Sequence, residues 1–356
     1  MRKSTRFIGA ISRANHYRLD DGDFMKAWKL SSPNSLEHLT ADELKREAGQ
    51  VKVKITKARL SEQDVAVYSG ATKVKYPFIP GRYAIGQITE ADEDCYLNKG
   101  DRVYLADVFE DETERLGLKI AGENTDGFYR DFALANIDDV YPLPPSVSDE
   151  AAFLIDAVAL AERIVDEMHV HVGQHVLVVG GGLYANVFCQ ILIYHRAVPI
   201  LADNNKERLD RAKKSGIYYT YAYDDALLEN VSKATGGKMA DAAVYFAFAN
   251  RVEPSSVFSL VMRGAYVAYA AVTERKLTVN LEKAVELNIT VKGISECHEF
   301  VSTAINLLAN KAVVYSEFPF KSYKEEQLPE LLSERAAVLS SGSQLPEEIN
   351  IVKFIF

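Results

Sequence analysis

Between residues 25 and 150 the apolar positions come in short, interrupted runs. "VKVKIT" (Val51–Thr56) alternates apolar and polar residues, the period-two pattern of a strand with one buried face. "KYPFIPGRYAIGQI" (75–88), "NKGDRVYLA" (98–106) and "GFYRDFAL" (127–134) are short apolar runs broken by Gly and Pro. Such punctuation predicts a β-rich barrel or sandwich. "YPLPPSVSDE" (141–150) reads as a linker that ends in a helix start. Ser146 or Ser148 would cap that helix, with Asp149 and Glu150 in its first turn.

From residue 151 the rhythm changes. "AAFLIDAVALAERIVDEM" predicts a helix, "HVLVVGGG" a buried strand entering a glycine turn, and "LYANVFCQILIYHR" the next helix. "AVPILADNN" is a strand and "KERLDRAKKSG" a helix stopped by Gly216. "ADAAVYFAFAN", "GAYVAYAAV" and "LNITVKGIS" are further strands, and "NIVKFIF" (350–356) is another candidate. Strands separated by helices imply an α/β fold with a doubly wound parallel sheet. The expected organisation is an extension over 1–24, a β-rich domain over 25–150, an α/β domain over 151–298 and a final segment over 299–356. The extension reads equally as a disordered tail or as an arm that packs on a neighbour.

Length and composition narrow the class. A chain of 356 residues exceeds what one core usually holds, so two domains are expected. A net charge of −9 argues against a broad nucleic-acid footprint. No apolar run approaches the roughly 20 residues of a membrane span. "FIGAI", near the start, is too short for a secretory signal. Cys95, Cys189 and Cys297 lie far apart and form no CxxC pair. A cytoplasmic enzyme with a small-molecule substrate, and with no nucleic-acid or membrane partner, is the expectation.

"VLVVGGGLYA" (176–185) carries the most specific chemistry. Gly180, Gly182 and Ala185 fit G-x-G-x-x-G/A. The motif follows a strand, opens a helix and is followed by Asp203 at the end of the next strand, the context of a Rossmann dinucleotide site. Gly180 permits the tight turn, Gly182 lets backbone approach a pyrophosphate, and Ala185 lets helix lie on strand. The helix N-terminus offers N–H groups and a positive dipole end to phosphates. Asp203 would take the ribose hydroxyls and repel a 2′-phosphate, which favours NAD over NADP. Gly181, Leu183, Tyr184 and Asn204 complete the expected cofactor contacts.

Taken in order, "MKAW", "VKVKITKARLSEQDVAVYSG", "YPFIPGRYAIGQI", "KGDRVYLA", "DGFYRDFAL", "VYPLPPSVSDEAA" and the glycine motif resemble the medium-chain dehydrogenase/reductase superfamily, zinc alcohol dehydrogenase type. The resemblance covers about residues 25–356. It implies a GroES-like barrel, a Rossmann domain, a cleft between them, and a final segment that returns to the barrel. It also implies that Ala247, Phe248, Ala270 and Ile294 line the nicotinamide, and that "LNITVKGIS" is an edge strand through which a homodimer or homotetramer forms.

The zinc motifs are rewritten. Against a family phrase like "CGICGSDLH", residues 58–66 place Ser61 at the cysteine ligand, Gln63 at the proton-relay hydroxyl and Ala66 at the relay histidine. Only Asp64 matches its letter. Arg82 and Tyr83 replace the His and Glu of the "GHE" phrase, and the third ligand falls on Asp156. Arginine cannot become a ligand, so the resemblance and the residues together imply a member lacking both zinc sites. His169, His171 and His175 in "MHVHVGQH" invite a rival metal reading, but surface solvation accounts for them.

What remains is zinc-independent hydride transfer between NAD(H) and a small hydroxyl or carbonyl compound, with an anionic one favoured by Arg82. Arg82 would meet a carboxylate, phosphate or developing alkoxide. Tyr83 or Tyr68 would supply a proton or act as base. Asp156 would pair with Arg82 or act as base. Ser61 and Asp64 complete the candidate set. The plainer reading makes Arg82 a salt bridge to Asp156 or Asp64 that fills the vacated metal site. Two other functions stay open: an NAD(P)H-dependent C=C reductase of the enoyl or quinone type, and a catalytically silent nucleotide-binding protein.

Overall fold

A computed structural model describes residues 24–110, 117–246, 253–270, 278–295, 297–343 and 345–354. The expected extension over 1–24 therefore lies outside the described residues except for Phe24. Strands β1 (Phe24–Ser32) and β2 (Ser35–Asp42) form an antiparallel hairpin, turned by Asn34 at φ 60°. Asn is among the few residues that tolerate that conformation. Strand β3 (Gln50–Leu60) contains the alternating stretch; its Val51, Val53 and Ile55 are fully buried. Helix α1 (Glu62–Tyr68) follows, then β4 (Tyr83–Glu90), β5 (Arg102–Leu105), β6 (Val108–Glu110), β7 (Leu118–Ile120), β8 (Phe132–Asn136) and β9 (Val140–Pro142).

The linker ends as expected, with Ser148 as the cap: its hydroxyl accepts the Ala151 N–H. The predicted long helix is interrupted, however. It divides into α2 (Asp149–Ala152) and α3 (Ile155–Glu167). Phe153 and Leu154 leave the helical path, and the Phe153 carbonyl accepts a bond from Arg59 Nη1 at 2.6 Å. A barrel guanidinium thus takes a carbonyl of the interrupted helix.

The second half alternates as the pattern predicts. Strand β10 (His175–Val179) leads to α4 (Leu183–Tyr194), β11 (Val198–Asp203), α5 (Lys206–Lys214), β12 (Tyr219–Ala222), α6 (Leu227–Ala234) and β13 (Ala240–Tyr245). Strand β14 (Val261–Ala270), α7 (Glu282–Glu286) and β15 (Thr290–Ile294) complete the sheet. All its pairings are parallel, in the order β12-β11-β10-β13-β14-β15. The strand order reverses between β10 and β13, where doubly wound sheets take their ligands. Val176 to Val179 are almost wholly buried, because helices cover both faces of such a sheet.

Then the chain returns. Helix α8 (Val301–Ala309) packs on α3, and β16 (Phe320–Lys324) precedes α9 (Leu328–Ser340), which packs on α1. Strand β17 (Ile349–Lys353) pairs antiparallel with β3, Asn350 facing Leu60 and Lys353 facing Lys57. The barrel sheet runs β16-β17-β3-β4-β5-β9, with β8 also on β3. Tyr83, Ile85 and Tyr104 of the barrel share one apolar core with α3 and α4. Among the described residues no helix is long and apolar enough to cross a membrane.

Candidate active site

Strand β10 ends at Val179, and Gly180 takes φ 101°, a conformation that L side chains rarely adopt. A Cβ on Gly181 would lie 3.0 Å from Arg208 Cβ and 3.1 Å from Asp203 Oδ2. The turn therefore lies against the end of β11. Gly182 caps α4 in extended conformation with no side-chain partner for the helix N–H groups. Ala185 is buried and Leu183 half-buried. Asp203, buried at the end of β11, accepts from the Gly181 N–H at 2.5 Å and the Asn205 N–H at 2.6 Å; Arg208 Nη1 lies 3.4 Å from it. Asn204 follows Asp203 directly. Ala270 and Ile294 stand at the ends of β14 and β15. Ala247 and Phe248 lie outside the described residues. A tight backbone cradle, a helix N-terminus with no side-chain cap and a buried carboxylate one strand over suit a dinucleotide.

The other half of the site comes from the barrel. Antiparallel register sets Tyr83 of β4 opposite Arg59 of β3 and Ala84 opposite Leu105 of β5. Two residues beyond that last pair, Arg82 and Asp107 meet: Nε to Oδ2 is 2.6 Å. Asp156 near the start of α3 takes Arg59 in a two-pronged pair, Nη1 at 2.9 Å and Nη2 at 2.6 Å. The Tyr184 hydroxyl donates to Asp156 Oδ2 at 2.5 Å. The Arg59 guanidinium lies 4.1 Å from the centre of the Tyr83 ring, and that of Arg82 lies 5.5 Å from it. Both arginines thus flank one phenol.

This corrects two pairings. Asp156 binds Arg59, not Arg82, and the partner of Arg82 is Asp107 rather than Asp156 or Asp64. Asp64 and Ser61 instead cap α1: Asp64 Oδ2 accepts the Ser61 N–H at 2.8 Å and its Oγ–H at 2.5 Å, and Ser61 Oγ accepts the Asp64 N–H. Burial pushes the Asp64 carboxyl up against those bonds. Tyr68 turns away, its hydroxyl donating to the Asn34 carbonyl at 3.4 Å. Burial raises the Tyr83 phenol well above its ordinary range although Arg82 pulls it down. As a base Tyr83 is therefore unsuited; as a proton donor it is well held. Tyr184 is raised in the same way, by burial and by Asp156.

Zinc is held by thiolate, imidazole or carboxylate. Here the matching positions present a capping hydroxyl, a guanidinium and a carboxylate already paired with Arg59. These residues do not fit the metal. Residues 58–66 also bring Gln63 to Glu123, Nε2 donating at 3.1 Å, and no relay histidine. A cavity of about 140 Å³ is lined in part by Leu105, Ala106, Phe109, Phe128 and Arg130, and none of the clustered side chains lines it.

The inward face of Arg59 was not decidable from sequence until β3 and β4 had a register. Asp107 gave no signal. Arg208 and Arg211 of α5 were not among the expected site residues. Nor was Glu347, which meets both.

Comparison with known proteins agrees with this architecture. An alcohol dehydrogenase GroES-like domain matches residues 47–145, and a zinc-binding dehydrogenase domain matches 186–310. A sorbitol dehydrogenase of Halalkalibacterium halodurans is 25% identical over 259 residues, 68% of this chain and 76% of its own. The starvation-sensing protein RspB of Escherichia coli is 26% identical over 206 residues, 54% of this chain and 61% of its own. Two solved structures share the fold. A short chain alcohol dehydrogenase of Escherichia coli CFT073, complexed with NADH, has a TM-score of 0.79 at 20% identity, covering 94% of this chain and 100% of that one. A dehydrogenase-type protein of Sinorhizobium meliloti 1021, bound to NADP, has a TM-score of 0.80 at 16% identity, covering 93% and 99%.

Proposed function

We propose, for a chain that belongs to the medium-chain dehydrogenase/reductase superfamily, a zinc-independent transfer of hydride between NAD(H) and a small hydroxyl or carbonyl compound bearing an anionic group. The observation that carries this is the Arg82–Tyr83–Arg59 stack, in which Arg82 and Tyr83 hold the rewritten His and Glu positions and Arg59 pairs with Asp156 at the third. The NADH and NADP complexes of the structural neighbours, and the relative named sorbitol dehydrogenase, support a nicotinamide dinucleotide and a hydroxyl compound. Asp203 at the ribose position favours NAD.

When bound, the nicotinamide ring supplies or takes up the hydride. This chain's residues do the rest. Arg59 is committed to Asp156 and the Phe153 carbonyl and keeps 5% of its side chain exposed. Arg82 keeps 22% exposed, and among the described residues only its Nε is bonded. Its two terminal nitrogens can therefore meet a substrate carboxylate or the oxygen that gains charge as hydride adds to the carbonyl carbon. Tyr83, held protonated between the two guanidinium groups, can return a proton to that oxygen in the reducing direction. Asp156, fixed by Arg59 and Tyr184, positions Arg59 over the Tyr83 ring.

The same reading carries a homodimer through the free edge of β15. Four of its five residues are exposed, Val291 among them, beside exposed Leu281 and Val285.

The test is a screen of purified protein with NAD and NADH against polyols, hydroxy acids and their ketones, followed by Arg82→Ala. Turnover should vanish while NADH still binds. Turnover that survives makes Arg82 a structural ion pair. NADH binding without turnover of any compound favours the silent protein, and turnover of enoyl or quinone compounds favours the C=C reductase.

A further inference from the structure

Glu347 lies between α9 and β17, in the part of the chain that returns to the barrel. Its Oε1 meets Arg208 Nε, and its Oε2 lies 2.6 Å from Arg211 Nη1. The same Oε1 is 3.9 Å from the place a Cβ of Gly182 would occupy, the one atom within 4 Å of that place among the described residues apart from Gly182 and its chain neighbours. Arg208 and Arg211 stand three residues apart on α5 and so share a face. They are 11% and 14% exposed, and Glu347 is 23% exposed. Arg208 also reaches Asp203. The carboxylate is thus set between two arginines and the first turn of α4, beside the ribose-binding carboxylate. A doubly wound fold places the phosphates of a dinucleotide there. Arginine forks take carboxylate and phosphate by the same geometry.

We infer that Glu347 is an internal occupant of the dinucleotide's phosphate seat, a latch from the barrel side of the chain that nucleotide phosphates must displace. The inference rests on reading the glycine turn as a dinucleotide site. While the latch is closed, Arg208 and Arg211 are taken and the turn is shielded by a like charge. A latch closed nine-tenths of the time raises the apparent Kd about tenfold over the open protein. It also weighs on cofactor choice. Asp203 repels a 2′-phosphate, but the cations beside it would attract one, and Glu347 neutralises them.

Glu347→Gln removes the charge and keeps the shape. Wild type and variant, as full chains, are titrated with NADH and NADPH by nicotinamide fluorescence, with folding followed by circular dichroism. The variant should bind NADH about tenfold tighter, and NADPH should gain by the larger factor. Equal or weaker NADH binding in the variant overturns the latch and leaves Glu347 as a clamp between the two halves; the dinucleotide site itself then stands. Binding of NADH by the variant alone supports the latch in its strongest form. Failure of both proteins to bind either nucleotide overturns the latch and the dinucleotide reading together. Should the Gln variant not fold, Glu347→Asp, whose carboxylate stops one methylene short, is expected to shift NADH binding in the same direction, and an unchanged Kd again overturns the latch.

Discussion

Asp156→Asn isolates the central ion pair. Asp156 and Arg59 are 6% and 5% exposed at their side chains, so neither has water to fall back on. The carboxylate accepts two bonds from Arg59 and one from Tyr184. Asparagine keeps one acceptor and turns an N–H₂ toward groups that are themselves donors. It also leaves Arg59 as a buried cation without a carboxylate, held only by the Phe153 carbonyl, the Tyr184 hydroxyl and the Tyr83 ring. Removing one partner of a buried pair costs about 3–5 kcal/mol. At the low end of the usual conversion, about 2 °C per kcal/mol for a chain of this size, the unfolding midpoint should fall by about 6–10 °C. Scanning calorimetry is the suitable assay, because a protein with more than one core can show more than one transition. Replacing both partners, Arg59→Met with Asp156→Leu, removes the stranded charge and should recover most of the loss. A fall below about 2 °C for the single variant, or a double variant less stable than the single, would show that the pair is solvated or relaxes freely and would refute the argument.

Two more predictions concern other parts of the molecule. Burial, with Glu326 beside it, pushes the Glu325 carboxyl up to about 7, Lys26 opposing and Asp131 adding to the effect. The fold thus keeps a proton that the unfolded chain has released, so stability is full below the ordinary carboxylate range and falls as pH rises toward 7. Between about pH 5 and about pH 8, Glu325→Gln should therefore lose less of its melting temperature than wild type; an equal loss in both would place the titration elsewhere. Val291→Lys puts a charge on the exposed edge strand, and sedimentation should show it shifting a dimer toward monomer. A wild type that already sediments as a monomer removes the edge-strand proposal.

The parallel sheet was legible because its signals are local. Buried apolar runs, Gly180 at the turn and Gly216 after α5 each announce themselves within a few residues. The barrel end of the site was legible only as a list of side chains. Its pairings depend on register: Arg82 meets Asp107 because β4 and β5 align Ala84 with Leu105, and nothing near either residue encodes that alignment. The break at Phe153 and Leu154 escaped the periodicity because both are apolar and suit a helix. It becomes understandable once Arg59 is seen bonding the Phe153 carbonyl. Glu347 lies 136 residues from Arg211, a contact that only the return of β17 to β3 creates.

That return has a consequence for how the protein is made. The strands from β10 to β15 pair only among themselves, all between residues 175 and 294, so this half can assemble while the rest is still being synthesised. The barrel cannot. β3 leaves the ribosome early, yet one of its neighbours arrives almost 300 residues later, as Asn350 comes to lie beside Leu60. Until then β3 lacks a partner along that edge, the sort of unpaired strand that invites association with other chains. Arg59 and Asp156 can meet before the barrel is complete, whereas the hold of Glu347 on α5 waits for its last strand.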